Sequence, residues 1–252
     1  MSEALSTDGG QRIRFESWAL SDRGRRRELN EDRFFVDVEI GVWAVADGMG
    51  GHDAGDLASG AIVDHFRSMS PPASAPELRA LIEDRVARAN ADIQAISRAK
   101  GGATVGSTLA ALITFGRQYA CLWAGDSRVY LIRGGLLSQV SKDHTELQDL
   151  LDRGLIRPEE AAAYPRKNVI TNAIGVAEEV MLDLVQGSVE SGDIFIVCSD
   201  GLTAHVEDAE MAGLVAGLAP KTACEELIRI TLERGAVDNV TVIVVECRTD
   251  AQ

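Results

Sequence analysis

Apolar residues recur along this chain with two different periods, and the periods fall in separate blocks. Strand-like alternation comes first. Over Phe15 to Ser21, Phe15, Ser17 and Ala19 share one face and Glu16, Trp18 and Leu20 the other. Arg33 to Val38 follows a turn, and Gly41 to Ala46 is a continuous apolar run. A helical period then takes over. Leu57, Ala58, Ala61, Ile62, His65/Phe66 and Met69 line one face of a helix over Ala54 to Met69. Leu78, Leu81, Ile82, Val86, Ala89, Ile93 and Ile96 do the same over Pro76 to Lys100, with Pro71 and Pro72 between the two helices. Short strands resume at Ser107 to Thr114, Tyr119 to Ala124, Arg128 to Arg133 and Leu136 to Val140, punctuated by Gly116, Gly125 and the Gly134-Gly135 pair. A helical insert comes next. Thr145 and Gln148 have capping-box spacing, Gly154 suits a helix end, and Pro158 can open a second short helix at Glu159. Val180 to Gly187 and Asp193 to Cys198 read as strands, Met211 to Ala219 and Lys221 to Gly235 as helices, and Val240 to Cys247 as a closing strand.

This grouping argues against the βαβα alternation of a doubly wound parallel sheet. It predicts an α+β layered domain with antiparallel sheets. The chain has 252 residues, of which 46% are hydrophobic, enough for one large core. No Pro/Gly/Ser-rich linker divides it, so one domain is expected. The longest apolar runs, such as Ile194 to Cys198 and Met211 to Ala219, fall well short of the roughly 20 residues of a spanning helix. Met1 to Gly10 is polar and acidic, unlike a secretory leader. Cys121, Cys198, Cys224 and Cys247 form no C-x-x-C pair and read as reduced, buried thiols of a cytoplasmic protein. A net charge of −14 disfavours nucleic acid and anionic membranes as partners. The basic cluster Arg23, Arg25, Arg26 and Arg27 reads as a solvated loop.

The candidate chemistry lies where apolar runs stop. GVWAVA ends at Asp47-Gly48, IFIVCS at Asp200-Gly201 and CLWAG at Asp126. VTVIVVEC begins just after Asp238-Asn239, and Asp32 adjoins FFVDV. One Asp-Gly at a strand end is ordinary turn chemistry. Several together, if the sheets bring the ends into one place, make a carboxylate cluster with no matching cations nearby in sequence. Hard cations would neutralise such a cluster, and all-oxygen ligands favour Mg²⁺ or Mn²⁺ over zinc.

The motifs around these aspartates are more specific. Arg27-x-x-Asn30-Glu31-Asp32 comes first, then Ala46-Asp47-Gly48-Met49-Gly50-Gly51-His52, then Gly106-Ser107-Thr108. Gly125-Asp126-Ser127-Arg128, Asp143-His144-Thr145, Ser199-Asp200-Gly201-Leu202 and Asp238-Asn239-Val240-Thr241 follow in order. The set resembles the bacterial branch of the PP2C (PPM) family of metal-dependent protein serine/threonine phosphatases, from about residue 15 to 247. The resemblance implies a four-layer α-β-β-α sandwich of two antiparallel sheets flanked by helix pairs, with a small helical flap. It implies a phosphatase domain over 12–248, a flap over 141–175, and flexible termini at 1–11 and 249–252.

By the same resemblance Asp47 bridges two metals and Gly48 lends its backbone carbonyl. Asp200 and Asp238 complete the first metal, Asp126 with Asp200 holds a third, and Asp32 contacts metal-bound water. Glu31 stands where members vary between acid and amide. The cofactor implied is Mn²⁺ or Mg²⁺, two in the core site and a third beside them. The metals would activate a bridging water for in-line attack on phosphoserine or phosphothreonine. Arg27 would grip the phosphate, as a planar fork suits, and His52 would protonate the leaving oxygen. His144 is expected to be structural, and His65 to face the helix core. The implied partners are phosphoproteins, including a bacterial Ser/Thr kinase and its substrates, and the implied state is a monomer. Two rival readings share the metal site: a phosphatase dedicated to one regulator, of the anti-sigma antagonist type, and a catalytically inactive binding relative. Every acidic ligand position is filled, which disfavours the second.

Overall fold

The computed structural model describes residues 13–51 and 54–249. His52 and the N-terminal 1–11 segment therefore lie outside the described residues, as do 250–252. Among the described residues, eleven strands and two pairs of longer helices follow the block order read from the sequence. Strands β1 (Ile13–Asp22), β7 (Arg128–Arg133), β8 (Leu136–Gln139), β10 (Ile194–Cys198) and β11 (Val240–Thr249) make one sheet, in the order β1-β11-β10-β7-β8. Strands β2 (Asp32–Asp37), β3 (Val42–Gly50), β5 (Leu109–Phe115), β6 (Gln118–Ala124) and β9 (Asp183–Ser188) make the other in that order, with β4 (Val105–Ser107) on the end of β3. Every pairing is antiparallel. The first and last strands pair along their whole length, from Ile13 opposite Thr249 to Asp22 opposite Val240.

Side-chain alternation sorts the core into three apolar layers. Between the sheets lie Trp43, Val45, Leu112 and Trp123 from one side and Leu131, Phe195, Val197, Ile243 and Val245 from the other. Trp43 donates its indole N–H across the gap to Ser17 Oγ at 2.9 Å. The opposite strand faces bury against helices. Val42, Ala44, Ala111 and Ile113 meet Ile62, Phe66, Ile82 and Ile93 of α1 (Ala54–Arg67) and α2 (Ala75–Ala99). Helix α3 (Glu146–Asp152) belongs to the flap, and α4 (Asp200–Thr203) is a single turn. Tyr130, Ile196, Val242 and Val244 meet Met211, Val215, Cys224 and Leu227 of α5 (Asp208–Val215) and α6 (Pro220–Glu233). The result is the four-layer sandwich expected, with all four cysteines buried and unpaired. Among the described residues no helix is long and apolar enough to cross a membrane.

Local departures have local causes. The expected strand over Ser107 to Thr114 is divided at Thr108, whose hydroxyl meets the Asp47 N–H and Ser127 Oγ while its own N–H donates to the Asp47 carbonyl and keeps the register with β3. The turn α4 (Asp200–Thr203) was not expected; it directly follows the strand that ends at Cys198. Helix α5 starts three residues earlier and stops four earlier than the apolar pattern indicates. His65 sits where α1 meets α2, its Nε2 2.8 Å from Asp92 Oδ2.

The helix-covered layer should contribute strongly to stability. Phe66 is fully buried and meets Phe35 edge-on at 5.8 Å between ring centroids. Phe66→Ala is expected to cost about 3–5 kcal/mol in urea unfolding, through lost transfer energy and the cavity left behind. An unchanged midpoint would exclude this layer from the cooperative unit.

Candidate active site

Antiparallel pairing brings the aspartates together. In such a sheet the end of one strand lies beside the start of its neighbour. Strand β3 reaches its site end at Asp47, and β2 begins there at Asp32, directly opposite. In the other sheet Cys198 near the end of β10 pairs with Arg128 at the start of β7 and with Val242 near the start of β11. That register sets Asp126, Asp200 and Asp238 at one edge. The inter-sheet layer is apolar through its middle and turns polar at this end. Thr108, Ser127, Ser199 and Thr241 are all buried there.

Electrostatics show how closely the carboxylates converge. Burial, then the charges of Asp32, Asp200, Asp126 and Asp238, pushes the Asp47 carboxyl well above its ordinary range. Burial holds Asp32 at about 6, against hydrogen bonds from Thr241 and Ser199. Burial and the neighbouring Asp200 and Asp143 raise Asp126 to about 7. Asp200 is raised by burial and by Asp238, and relieved in part by a hydrogen bond with Asp47.

Two of the carboxylates also have protein partners. Asp32 Oδ2 accepts from Ser199 Oγ at 2.8 Å. Its Oδ1 is buried without a hydrogen-bond partner. Such an orphaned acceptor is costly unless something else satisfies it. Asp238 Oδ2 accepts from Arg27 Nη2 at 2.6 Å, and Oδ1 from the Asn239 N–H at 2.8 Å. Among the described residues no three acidic, His or Cys side chains converge as a finished coordination shell. The donor chemistry nevertheless fits hard cations: aspartate oxygens, the Gly48 backbone, an orphaned buried oxygen and mutual repulsion that cations would relieve.

The neighbouring backbone is tightly fitted. A Cβ on Gly48 would lie 2.0 Å from the Gly55 carbonyl oxygen, so only glycine lets the start of α1 approach. Glu31, left open in the sequence, accepts the Gly55 N–H at 3.1 Å through Oε1, a favourable place for an acid at a helix N-terminus. His144 is structural as expected. It stacks on Trp123, and its Nδ1 accepts the Gly125 N–H at 3.2 Å.

The structure thus gathers Asp32, Asp47, Gly48, Asp126, Asp200, Asp238 and Arg27 at one end of the sandwich. Ser199 and Asn239 were quoted in motifs but given no task. The alternation of β10 carried a signal for Ser199: it continues the inward-facing set Phe195 and Val197, where a buried polar residue needs a reason.

Residues 22–236 match the protein phosphatase 2C family. The chain belongs to that family, one of metal-dependent protein serine/threonine phosphatases. It is 36% identical to the serine/threonine protein phosphatase PstP of Mycobacterium tuberculosis over 231 residues, covering 90% of this chain and 44% of that protein. The chain thus spans less than half of that relative's length. The solved structure of PppA, a key regulatory component of T6SS in Pseudomonas aeruginosa, superposes with a TM-score of 0.88 at 38% identity, over 94% of this chain and 100% of that one. A PstP catalytic domain solved with two manganese ions superposes at 0.84 with 33% identity, over 94% of this chain and 99% of that one.

A pH signature follows. The raised pKa values mean that, without cations, the folded protein holds protons that the unfolded chain releases near pH 4. Stability in EDTA should therefore fall as pH rises from about 4 through about 7. The gain in Tm on adding Mn²⁺ should be larger at pH 7.5 than at pH 5, because ligands must lose protons to bind. Asp126→Asn should flatten the EDTA slope. A Mn²⁺ effect independent of pH would show that these carboxylates are not its ligands.

Proposed function

We propose that this chain hydrolyses phosphoserine and phosphothreonine on proteins, opposing a Ser/Thr kinase. The observation that carries the reading is the convergence of aspartates from both sheets with the Arg27 guanidinium set among them. Asp47, the Gly48 carbonyl, Asp200 and Asp238 would hold two cations, and Asp126 with Asp200 a third. Asp32 would fix water on them. When bound, Mn²⁺ or Mg²⁺ supplies an acidified water and neutralises charge on the phosphoryl oxygens.

The remaining work falls to side chains. Arg27 is half exposed and gives one of its donors to Asp238, leaving a planar fork at the cleft for phosphate oxygens. Asp238 orients that fork. The Ser199 hydroxyl holds Asp32 in place, and the Thr108 hydroxyl accepts the Asp47 N–H at 3.1 Å. His52, by its motif, would give a proton to the departing serine or threonine oxygen. The filled ligand set favours catalysis over an inactive binding role, and a metal-binding structural protein would give Arg27 no task.

The flap (141–175) sits beside this end. Its helix α3 contributes no fully buried residue. Its base is firmer: Thr145 and Ile170 form an antiparallel bridge, and the Thr171 N–H donates to the His144 carbonyl at 2.9 Å. Such an element shapes access to the cleft and leaves bond cleavage to the cations.

Phosphate release from a phosphothreonine peptide should require added Mn²⁺ or Mg²⁺. Asp47→Ala and Asp200→Ala should each lower kcat by at least about 10²-fold, a loss of about 2.7 kcal/mol or more in transition-state stabilisation. Metal-independent turnover, or full activity in both variants, would sink the reading. Deleting 146–166 is expected to shift the preference among phosphopeptides and spare hydrolysis of p-nitrophenyl phosphate, because the bridged Thr145 and Ile170 remain. Loss of both activities in a folded protein would remove the flap from a specificity role.

A further inference from the structure

Arg27 lies in an exposed loop, yet its proposed task needs a fixed guanidinium. The loop from Arg23 to Glu31 has no regular structure of its own. Ser59 holds its far end through the Glu31 carbonyl, and a second buried side chain, Asn239, 5% exposed, ties it at three points. Asn239 Nδ2 donates to the Arg23 carbonyl at 2.9 Å and to the Leu29 carbonyl at 2.8 Å. Its Oδ1 accepts the Glu31 N–H at 2.9 Å. Both amide protons and the carbonyl oxygen are thus spent on the backbone of one loop, at points on either side of Arg27. No other residue type of this size offers two donors and an acceptor in that arrangement.

The same strand start holds Arg27 from a second direction. Asp238, next in sequence, receives the Arg27 guanidinium at 2.6 Å. Gly24, with φ +77°, packs so closely that a Cβ would come within 2.1 Å of the Asp238 carbonyl oxygen. The Arg25 N–H donates to the Ala236 carbonyl at 2.8 Å. Loop and strand start therefore move as one piece, and Asn239 is its buried pin.

We propose that Asn239 is a positioning residue for phosphate recognition, acting through the loop that presents Arg27. The proposal rests on Arg27 as the phosphate grip. Asn239 contributes no oxygen to a cation in this scheme and touches no reacting atom. Its loss should therefore weaken substrate capture more than turnover.

The test is a double-mutant cycle read by steady-state hydrolysis of a phosphothreonine peptide at saturating Mn²⁺. Arg27→Ala, Asn239→Ala and the double variant are compared with the parent chain. Asn239→Ala is expected to raise KM about tenfold with kcat within about threefold, since binding is lost and the chemical step kept. The Mn²⁺ concentration for half-maximal activity should not move. In the Arg27→Ala background the second substitution should add almost nothing, because residues acting through one another are not additive.

Additive effects, or a shifted Mn²⁺ requirement with KM unchanged, would overturn the proposal and assign Asn239 to general stability or to Asp238. An unchanged KM in Arg27→Ala alone would instead overturn the phosphate-grip reading, whatever Asn239 does. Should Asn239→Ala fail to fold, Asn239→Asp keeps the acceptor for Glu31 and loses both donors. It is then expected to give the same rise in KM and the same non-additivity.

Discussion

Two carboxylates placed directly opposite one another on neighbouring strands repel, and Asp32 and Asp47 stand in that relation. Asp200 and Asp238 reach the same end of the sandwich from the other sheet, and Asp126 from the connection between the two sheets. Much of the local structure makes sense as accommodation of this repulsion. The Ser199 hydroxyl donates to Asp32, the Thr108 hydroxyl accepts the Asp47 N–H, and Arg27 takes Asp238. These contacts relieve the cluster only in part, as the raised carboxyl pKa values record. Divalent cations would complete the relief. Folding and cation binding are therefore linked in one equilibrium.

The cluster must be built on something that does not give way. Its rigidity comes from the three apolar layers behind it, in which Trp43, Phe195 and Phe66 are fully buried. The inter-sheet layer fixes the distance between the two sheets, and so the distance between the two groups of aspartates. Close backbone approaches do the rest. Gly48 against Gly55 sets α1 against the end of β3, and Gly201 lies so near the Asn239 carbonyl oxygen that a Cβ would come within 1.9 Å. Side chains at either position would push apart the segments that carry the aspartates.

The block order and face alternation made the layered fold legible in the sequence, and the strand ends marked the aspartates. Their convergence was not legible from spacing, because it depends on which strands pair. The ordered motifs supplied that through resemblance. Elements at the site were read least well. Thr108 divides two short strands beside Asp47, and Asp200 opens a single helical turn one residue after a strand. In both places contacts from distant segments, Thr108 with Asp47 and Ser127 and Ser199 with Thr241, are not carried by the local pattern. Asn239 was hidden for a similar reason: its three partners lie more than 200 residues away.

Charge range also bears on how an anionic group reaches this end of an acidic protein. The net charge of −14 is a sum over the whole molecule. At physiological ionic strength, charges on the far surface are screened beyond about 8 Å. What an arriving phosphate meets is local. Arg23, Arg25, Arg26 and Arg27 are all exposed on the loop beside Asp238. That cluster reads in sequence as a solvated loop, and it is solvated. One of the four has a second consequence: the Arg27 guanidinium, paired with Asp238 and near Glu31 and Asp47, offsets acidic charge where a phosphate would land. A side chain that pins the loop, as proposed for Asn239, would therefore hold that one positive charge in place beside Asp238.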